Sequence, residues 1–390
     1  MAKPRSKDIE VPEPEQGVKR TLIMVTAGNN NKYYNMTPNG DKIDIEYGRI
    51  QSSKTKIYKQ LSQWNTVYKQ KIRKGYKDTT DLHKAAHTVN LETDNIDFKE
   101  FFNGFASYAQ LKVQSSYNAS SCTPEQLAEA NGVLKSISTI KNLDEINDAL
   151  LNLYTIIPRN MKDVNEFLIN DKKEIVKTLS REQDSLDSMD SSNIINTANP
   201  LDEMNLGFRE VKNPEVFYQI FKQYQYANRF TDNVYKIYEI VADRKGFEEE
   251  LENSHSRECE YLLHGTRNAN VFSIMKNGLL IRPSNAHYSG SAYGDGIYHS
   301  YDVGKSWRYT GHDSDKLMFV QEVNVGVQYQ YDGWYSHGKD LDVHNMNYEW
   351  MKENGYDSLF VTPGGGLQSS EYVVYNSNQT IFKYLVWFKS

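Results

Sequence analysis

The periodicity of apolar residues changes twice along this chain, and that double change restricts it to a multidomain α+β protein. Short strand-like runs at 22–25, 32–36 and 42–50 are separated by the turn-rich residues 28–31 and by Pro38-Asn39-Gly40-Asp41, as in a small antiparallel sheet. A helix-like stretch follows from Lys56 to Lys74, in which Ile57, Leu61, Trp64, Tyr68 and Ile72 recur at spacings of three or four. From Asp97 to Met189 the pattern is helical throughout. One of these helices opens with Thr123, Pro124 and Gln126, and another closes at Pro158. Residues 181–200 are polar and aperiodic, which predicts a boundary. Beyond Pro200 the runs at 234–241, 317–331, 371–376 and 381–388 alternate or are continuously apolar, rich in β-branched and aromatic residues. The organisation expected is a disordered tail at 1–17, a sheet-plus-helix module at 18–85, an all-α domain at 86–199 and a strand-rich domain at 200–390.

Composition removes several classes. No apolar run approaches the roughly eighteen residues of a membrane span, and the polar start Met1–Lys19 lacks the apolar core of a secretory signal, so a soluble protein of a reducing compartment is expected. Cys122 and Cys259 are the only cysteines, which excludes a disulfide framework and a zinc site built on cysteine pairs. His287, His299, His312, His337 and His344 include no i, i+4 pair of the kind a zinc helix uses, so no metal is expected. No Gly-x-Gly-x-x-Gly follows a strand, against a Rossmann domain. The net charge is -6, yet Arg49, Lys54, Lys56, Lys59, Lys69, Lys71, Arg73, Lys74 and Lys77 form a run without one acidic residue. The first module is a basic patch on an acidic protein.

Three segments of the last third stand out: His264-Gly265 in 261–270; Gly294-Asp295-Gly296-Ile297-Tyr298 followed by Lys305-Ser306 and Tyr309; and Glu371-Tyr372 after Pro363, Gly364, Gly365 and Gly366. A lone His-Gly is more often a capped turn, and a Tyr-rich strand more often sheet packing. Together and in this order they resemble the catalytic domain of the poly(ADP-ribose) polymerases, which implies a fold of two packed antiparallel sheets and NAD+ as co-substrate. Cleaving the bond from nicotinamide to ribose passes through an oxocarbenium-like state, which a nearby carboxylate stabilises. The resemblance assigns that part to Glu371, which would also orient the acceptor for chain extension. It makes Tyr298 and Tyr309 the aromatic floor under nicotinamide, with the Gly265 backbone and the Ser306 hydroxyl on its carboxamide. His264 would bond a ribose hydroxyl on the adenosine side, and Thr266 and Asn270 would line the same groove. The resemblance makes Glu371, His264 and Tyr298 the catalytic set.

The resemblance extends upstream. The helices from Thr123 onward look like the regulatory domain of DNA-dependent members of the family, which shields the NAD+ site until damaged DNA binds. The first module resembles a WGR domain, with Tyr47-Gly48-Arg49 in place of Trp-Gly-Arg. This implies contact with DNA ends or nicks bearing a 5′ phosphate, through Tyr47, Arg49 and Lys54. Departures from the family pattern are Tyr47 for Trp, Leu280 for an Arg, Asp295 for a Lys and His299 for a Phe. The function expected is DNA-break-stimulated transfer and elongation of ADP-ribose on proteins, itself included. The alternatives are a mono(ADP-ribosyl)transferase and a catalytically silent DNA-end binding protein; a secreted toxin using this fold ranks behind them. The expected location is nuclear in a eukaryote and otherwise cytosolic and DNA-associated.

Overall fold

The computed structural model describes the chain apart from residues 1–8, 27, 29, 51, 84–90, 92, 120, 138–139, 141, 214, 216–220, 282–292, 333–342, 344–345, 365–366 and 390. The start of the expected tail, the expected boundary near residue 85, Gly365, Gly366, His287, His337 and His344 therefore lie outside the described residues. The chain forms two compact units, residues 1–87 with 111–189, and 88–110 with 190–390.

In the first unit, β1 (Arg20–Thr26), β2 (Asn30–Asn39), β3 (Lys42–Arg49), β4 (Lys54–Gln60) and β5 (Lys77–Asp78) form an antiparallel sheet of order β4-β3-β2-β1-β5. Alternation sets its faces: Ile43 and Ile45 join a core with Tyr34 and Met36, under Trp64, Val67 and Tyr68 of α1 (Trp64–Arg73). The helix expected from Lys56 instead begins at Trp64, because Ile57 pairs across from Ile45 and its flanking Lys56 and Tyr58 point away from the core as an edge strand. Residues 9–17 are not a free tail. Ile9 and Val11 pack on this core, the Trp64 indole N–H donates to the Pro12 carbonyl at 2.8 Å, and Gln16 and Gly40 exchange two hydrogen bonds.

Four helices follow: α2 (Ile96–Ser116), α3 (Pro124–Ile137), α4 (Leu143–Ile156) and α5 (Ile175–Ile195). At the start of α3, Thr123 Oγ1 accepts from the Gln126 amide at 3.2 Å and Gln126 Oε1 accepts from the Thr123 amide at 3.0 Å, a reciprocal cap. The aperiodic linker expected across 181–200 is helix instead, because α5 runs through it to Ile195, while the division between the two units falls within it, after Met189. Two of its serines turn their hydroxyls onto the helix itself, Ser185 onto the Arg181 carbonyl at 2.8 Å and Ser188 onto that of Asp184 at 2.7 Å, and Ser191 accepts the Ser273 amide at 2.9 Å. A polar helix face is thereby buried without unmet hydroxyls. In the same unit Glu182, 1% exposed, accepts from Arg159 Nε at 2.7 Å, and the Arg159 guanidinium lies 4.2 Å over the Tyr117 ring.

The second unit takes the start of α2, because Phe98, Phe101 and Phe105 share one cluster with Phe208, Tyr238, Phe272 and Trp387. After α6 (Pro200–Met204) come β6 (Gly207–Glu210), β7 (Val234–Val241), α7 (Lys245–Asn253), β8 (Cys259–Thr266), α8 (Val271–Asn277), β9 (Ile297–His299), α9 (Val303–Arg308), β10 (Asp315–Asn324), β11 (Gln328–Asp332), α10 (Tyr348–Glu353), β12 (Ser358–Thr362), β13 (Glu371–Val374) and β14 (Thr380–Lys389). One sheet, β6-β7-β14-β10-β8, is antiparallel throughout. The other, β11-β12-β13-β9, departs from the expected all-antiparallel pairing, since β11 and β12 run parallel. The long passage through α10 supplies the crossover that a parallel pair needs. Leu262 and Val323 of the first sheet meet Ile297 and Val374 of the second in one apolar cluster. Among the described residues no helix is long and apolar enough to cross a membrane.

Asp357, just before β12, ties three segments together. Its carboxylate accepts the amides of Val327 at 2.8 Å, His255 at 2.9 Å and Ser256 at 3.1 Å, and the Lys352 ammonium at 2.9 Å. Burial pushes this carboxyl up, but the Val327 and His255 amides and Lys352 outweigh it and hold it below the usual carboxylate range. Its stabilisation is therefore complete above the unfolded value of about 3.9 and is lost as pH falls through the lower folded pKa. We expect Asp357→Asn to lower unfolding free energy at neutral pH by about 2–3 kcal/mol and to flatten the acid limb of the stability curve. Urea unfolding between pH 7 and pH 2.5 measures both, and an unchanged acid limb in the variant contradicts this account.

Candidate active site

The site is assembled where α9 crosses the end of β8. A Cβ on Gly265 would lie 1.9 Å from the Ser306 carbonyl oxygen, so only glycine lets β8 and the helix approach this closely. Asp302 caps α9, its Oδ1 accepting from the amides of Gly304 at 2.7 Å and Lys305 at 3.2 Å. Ser306 is buried, whereas Tyr309, the residue that ends the helix, is 50% exposed. A ring that stands half free beside a polar site is a shelf for a flat ligand.

The approach to β9 is equally constrained. Gly294 has φ +86, and a Cβ there would lie 2.3 Å from the Met346 carbonyl; one on Gly296 would lie 2.4 Å from Val373 Cγ1. The Tyr298 hydroxyl is spent on this turn, donating to the Gly294 carbonyl at 2.8 Å and accepting from the Tyr293 amide at 2.9 Å. Tyr298 thus presents ring rather than hydroxyl. Its backbone carbonyl accepts from Nδ1 of His264 at 3.1 Å, which places the His264 proton on Nδ1 and leaves Nε2 as the open acceptor. Burial pushes the His264 pKa down, with the Tyr298 carbonyl opposing, so the ring is neutral.

Glu371 opens β13, 8% exposed, and forms an ion pair with Lys305 of α9. Lys305 also donates to the Ser369 carbonyl at 3.4 Å; Ser369 Oγ bonds Asp302 Oδ2; Ser300 Oγ donates to the Ser370 carbonyl at 3.2 Å; and Arg308 donates to Gln368 Oε1 at 2.8 Å. These links fasten α9 and its cap to residues 368–371. Burial holds the Lys305 ammonium below its ordinary pKa despite Glu371. The Tyr298 and Tyr309 phenols are pushed up, first by burial and then by the Glu371 charge, which places both near the carboxylate. Lys305, Asp302 and Ser369 belong to the site and were not singled out as site residues from sequence. An Asp two residues ahead of a Gly-Lys at a helix start was the available signal for the cap, but nothing local points to the Lys305 pairing with a residue 66 positions later.

The structure thus brings together His264, Gly265, Tyr298, Ser306, Tyr309 and Glu371. Thr266 and Asn270 are 5% and 6% exposed, at the end of β8 and the start of α8, and offer a ligand little surface. Among the described residues no group of three or more His, Cys, Asp and Glu is placed to hold a metal ion.

Tyr47, Arg49 and Lys54 lie in the first unit. Tyr47 is half-buried and stacks on Tyr34 at 5.6 Å, and the Lys71 ammonium sits 3.6 Å over Tyr34, 5.2 Å from Tyr76 and 5.8 Å from Tyr47. Burial and then Lys74, Lys59 and Lys32 push Lys71 down to about 8. Arg49 is exposed opposite Lys32, while Lys54 is paired with Glu46 at 3.3 Å.

Comparison with known proteins follows the same lines. The profile of the family described as "Poly(ADP-ribose) polymerase catalytic domain" matches residues 215–390. A poly(ADP-ribose) polymerase-like protein of Invertebrate iridescent virus 6 is 38% identical over 181 residues, 46% of this chain and 96% of that protein. Poly(ADP-ribose) polymerase 1 of Gallus gallus is 24% identical over 424 residues, covering 97% of this chain and 40% of that protein. A protein mono-ADP-ribosyltransferase of the same bird is 40% identical over 79 residues, 20% of this chain and 14% of that protein.

Proposed function

Since this chain belongs to the poly(ADP-ribose) polymerase family, it is an NAD-dependent ADP-ribosyltransferase, and we propose that it extends ADP-ribose chains on proteins, itself included, in response to DNA breaks. The observation that carries the reading is the buried Glu371 carboxylate, fastened through Lys305 to the helix that ends in the half-exposed Tyr309 ring. In this reading nicotinamide lies on Tyr309, held through its carboxamide by the Gly265 backbone and Ser306 hydroxyl, and His264 Nε2 accepts from a ribose hydroxyl. The bond from ribose C1′ to the nicotinamide nitrogen breaks with its electron pair leaving on nicotinamide. The acceptor hydroxyl forms the new bond to C1′ and gives its proton to Glu371, whose charge also offsets the cationic sugar. Lys305 holds that carboxylate in place through their ion pair.

We propose further that the first unit senses DNA ends as a WGR-like domain and that helices within 86–199 gate the site. Arg49, exposed and opposite Lys32, supports a phosphate contact; Tyr47, packed on Tyr34, supports a structural part rather than base stacking. Residence follows the DNA, nuclear in a eukaryote and cytosolic in a microbe or virus. Incorporation of labelled NAD+ with and without a 5′-phosphorylated nicked duplex tests the whole reading. A DNA-stimulated ladder is expected, with the stimulation reduced in Arg49→Ala combined with Lys54→Ala. No incorporation under any condition leaves a silent DNA-end binding protein as the better account. A single modified band favours transfer of one unit, the activity in the name of the third relative.

A further inference from the structure

The interface between the two sheets of the catalytic unit is apolar at Leu262, Ile297, Val323 and Val374, yet two polar side chains interrupt it. His299 of β9 is 2% exposed and Gln321 of β10 is 1% exposed, one on each sheet. His299 Nε2 donates to Gln321 Oε1 at 2.8 Å, while its Nδ1 is buried without a hydrogen-bond partner. A buried imidazole and amide of this kind cost free energy that a pair of apolar side chains would not. Burial, followed by the neighbouring His264, keeps His299 uncharged, so the pair contributes no ion to offset that cost.

What the pair touches is His264. The two imidazoles meet edge to face, with centroids 5.9 Å apart and planes at 63°. Among the described residues the His264 ring has one hydrogen bond, from Nδ1 to the Tyr298 carbonyl, and a ring held by one bond can pivot about it. Gln321 lies directly opposite Leu262, two residues from His264 on the same face of β8, so a His299 ring tethered to Gln321 blocks that pivot from below. We propose that His299 and Gln321 act as one positioning unit that fixes the direction of His264 Nε2 toward the NAD+ ribose. The inference rests on the reading of His264 as a ribose ligand. It makes His299 a positioning residue and not a catalytic one.

The test uses the full chain with His299→Phe, Gln321→Leu and the two combined. His299→Phe keeps the ring but strands the Gln321 amide; Gln321→Leu strands the imidazole; the double variant restores an apolar interface. Each single change is expected to raise KM for NAD+ about 5- to 10-fold with kcat within about twofold, and the double variant, which lacks the same tether, to raise it no further than the singles; a double variant with the KM of the wild type overturns the proposal. Nitrogen-15 spectra of labelled histidine supply a readout that needs no turnover. His264 should be a pure Nδ1–H tautomer in the wild type and a tautomer mixture in each single variant. Singles with unchanged KM and an unchanged His264 tautomer overturn the proposal, even if both melt at lower temperature. Should the protein incorporate no NAD+, the proposed function fails while the tautomer spectra still decide the positioning.

Discussion

Glu371→Gln is expected to lower kcat for ADP-ribose transfer by about 10²–10³-fold and to abolish chain extension. The substitution keeps the shape of the side chain and removes its charge, so the stabilisation of positive charge at ribose C1′ disappears. Lys305 makes the effect larger than a lone carboxylate would give. Its ammonium is already held below its ordinary pKa by burial, and with the Glu371 charge gone its strongest anionic partner is lost. The fastening between α9 and the Glu371 segment then loses its ionic link, and Tyr309 loses part of its support. Single-turnover rates on labelled NAD+, read beside KM, separate these effects: KM should rise modestly and kcat should collapse. A variant that builds polymer at the wild-type rate would remove Glu371 from the chemistry.

The second large effect is on folding. Glu182→Ala is expected to cost about 3–5 kcal/mol, because it leaves the Arg159 guanidinium buried without its anion. Glu182 also accepts from the Tyr154 hydroxyl at 3.3 Å and from Arg181 Nε at 3.1 Å, so several donors lose one acceptor. Yet Arg159 Nη1 is buried without a partner, so the pair is incompletely satisfied. Replacing both ions, Arg159→Met with Glu182→Leu, should therefore recover most of the loss. Urea unfolding of the full chain measures both. A single variant within about 1 kcal/mol of the wild type would mean that the pair is hydrated in solution.

What the sequence made legible is what depends on neighbours in the chain. The Pro38–Asp41 turn, the Thr123–Gln126 cap and the end of a helix before Pro158 each follow from residues a few positions apart, and each is where it was expected. The site motifs were legible for the same reason, since Gly265, Gly294 and Gly296 stand where no Cβ fits. The failures are tertiary. A Ser-rich run is helix because neighbouring segments bury it, and Lys54–Gln60 is strand because β3 offers an edge. The aromatic face of α2 reads as part of a helical domain until Phe208, Phe272 and Trp387 are seen to surround it. The packing of Tyr47 on Tyr34 could not be read from spacing.

The six residues of α9 are held at both ends, by Asp302 and Lys305 on one side and by Arg308 on Gln368 at the other. A helix advances by about 100° for every residue. Lengthening α9 by a single residue would carry Tyr309 more than a quarter turn around the axis while the Glu371 end stayed fixed. The distance in sequence between Lys305 and Tyr309 is therefore a phase setting: it fixes the side of the helix on which the ring stands relative to the carboxylate.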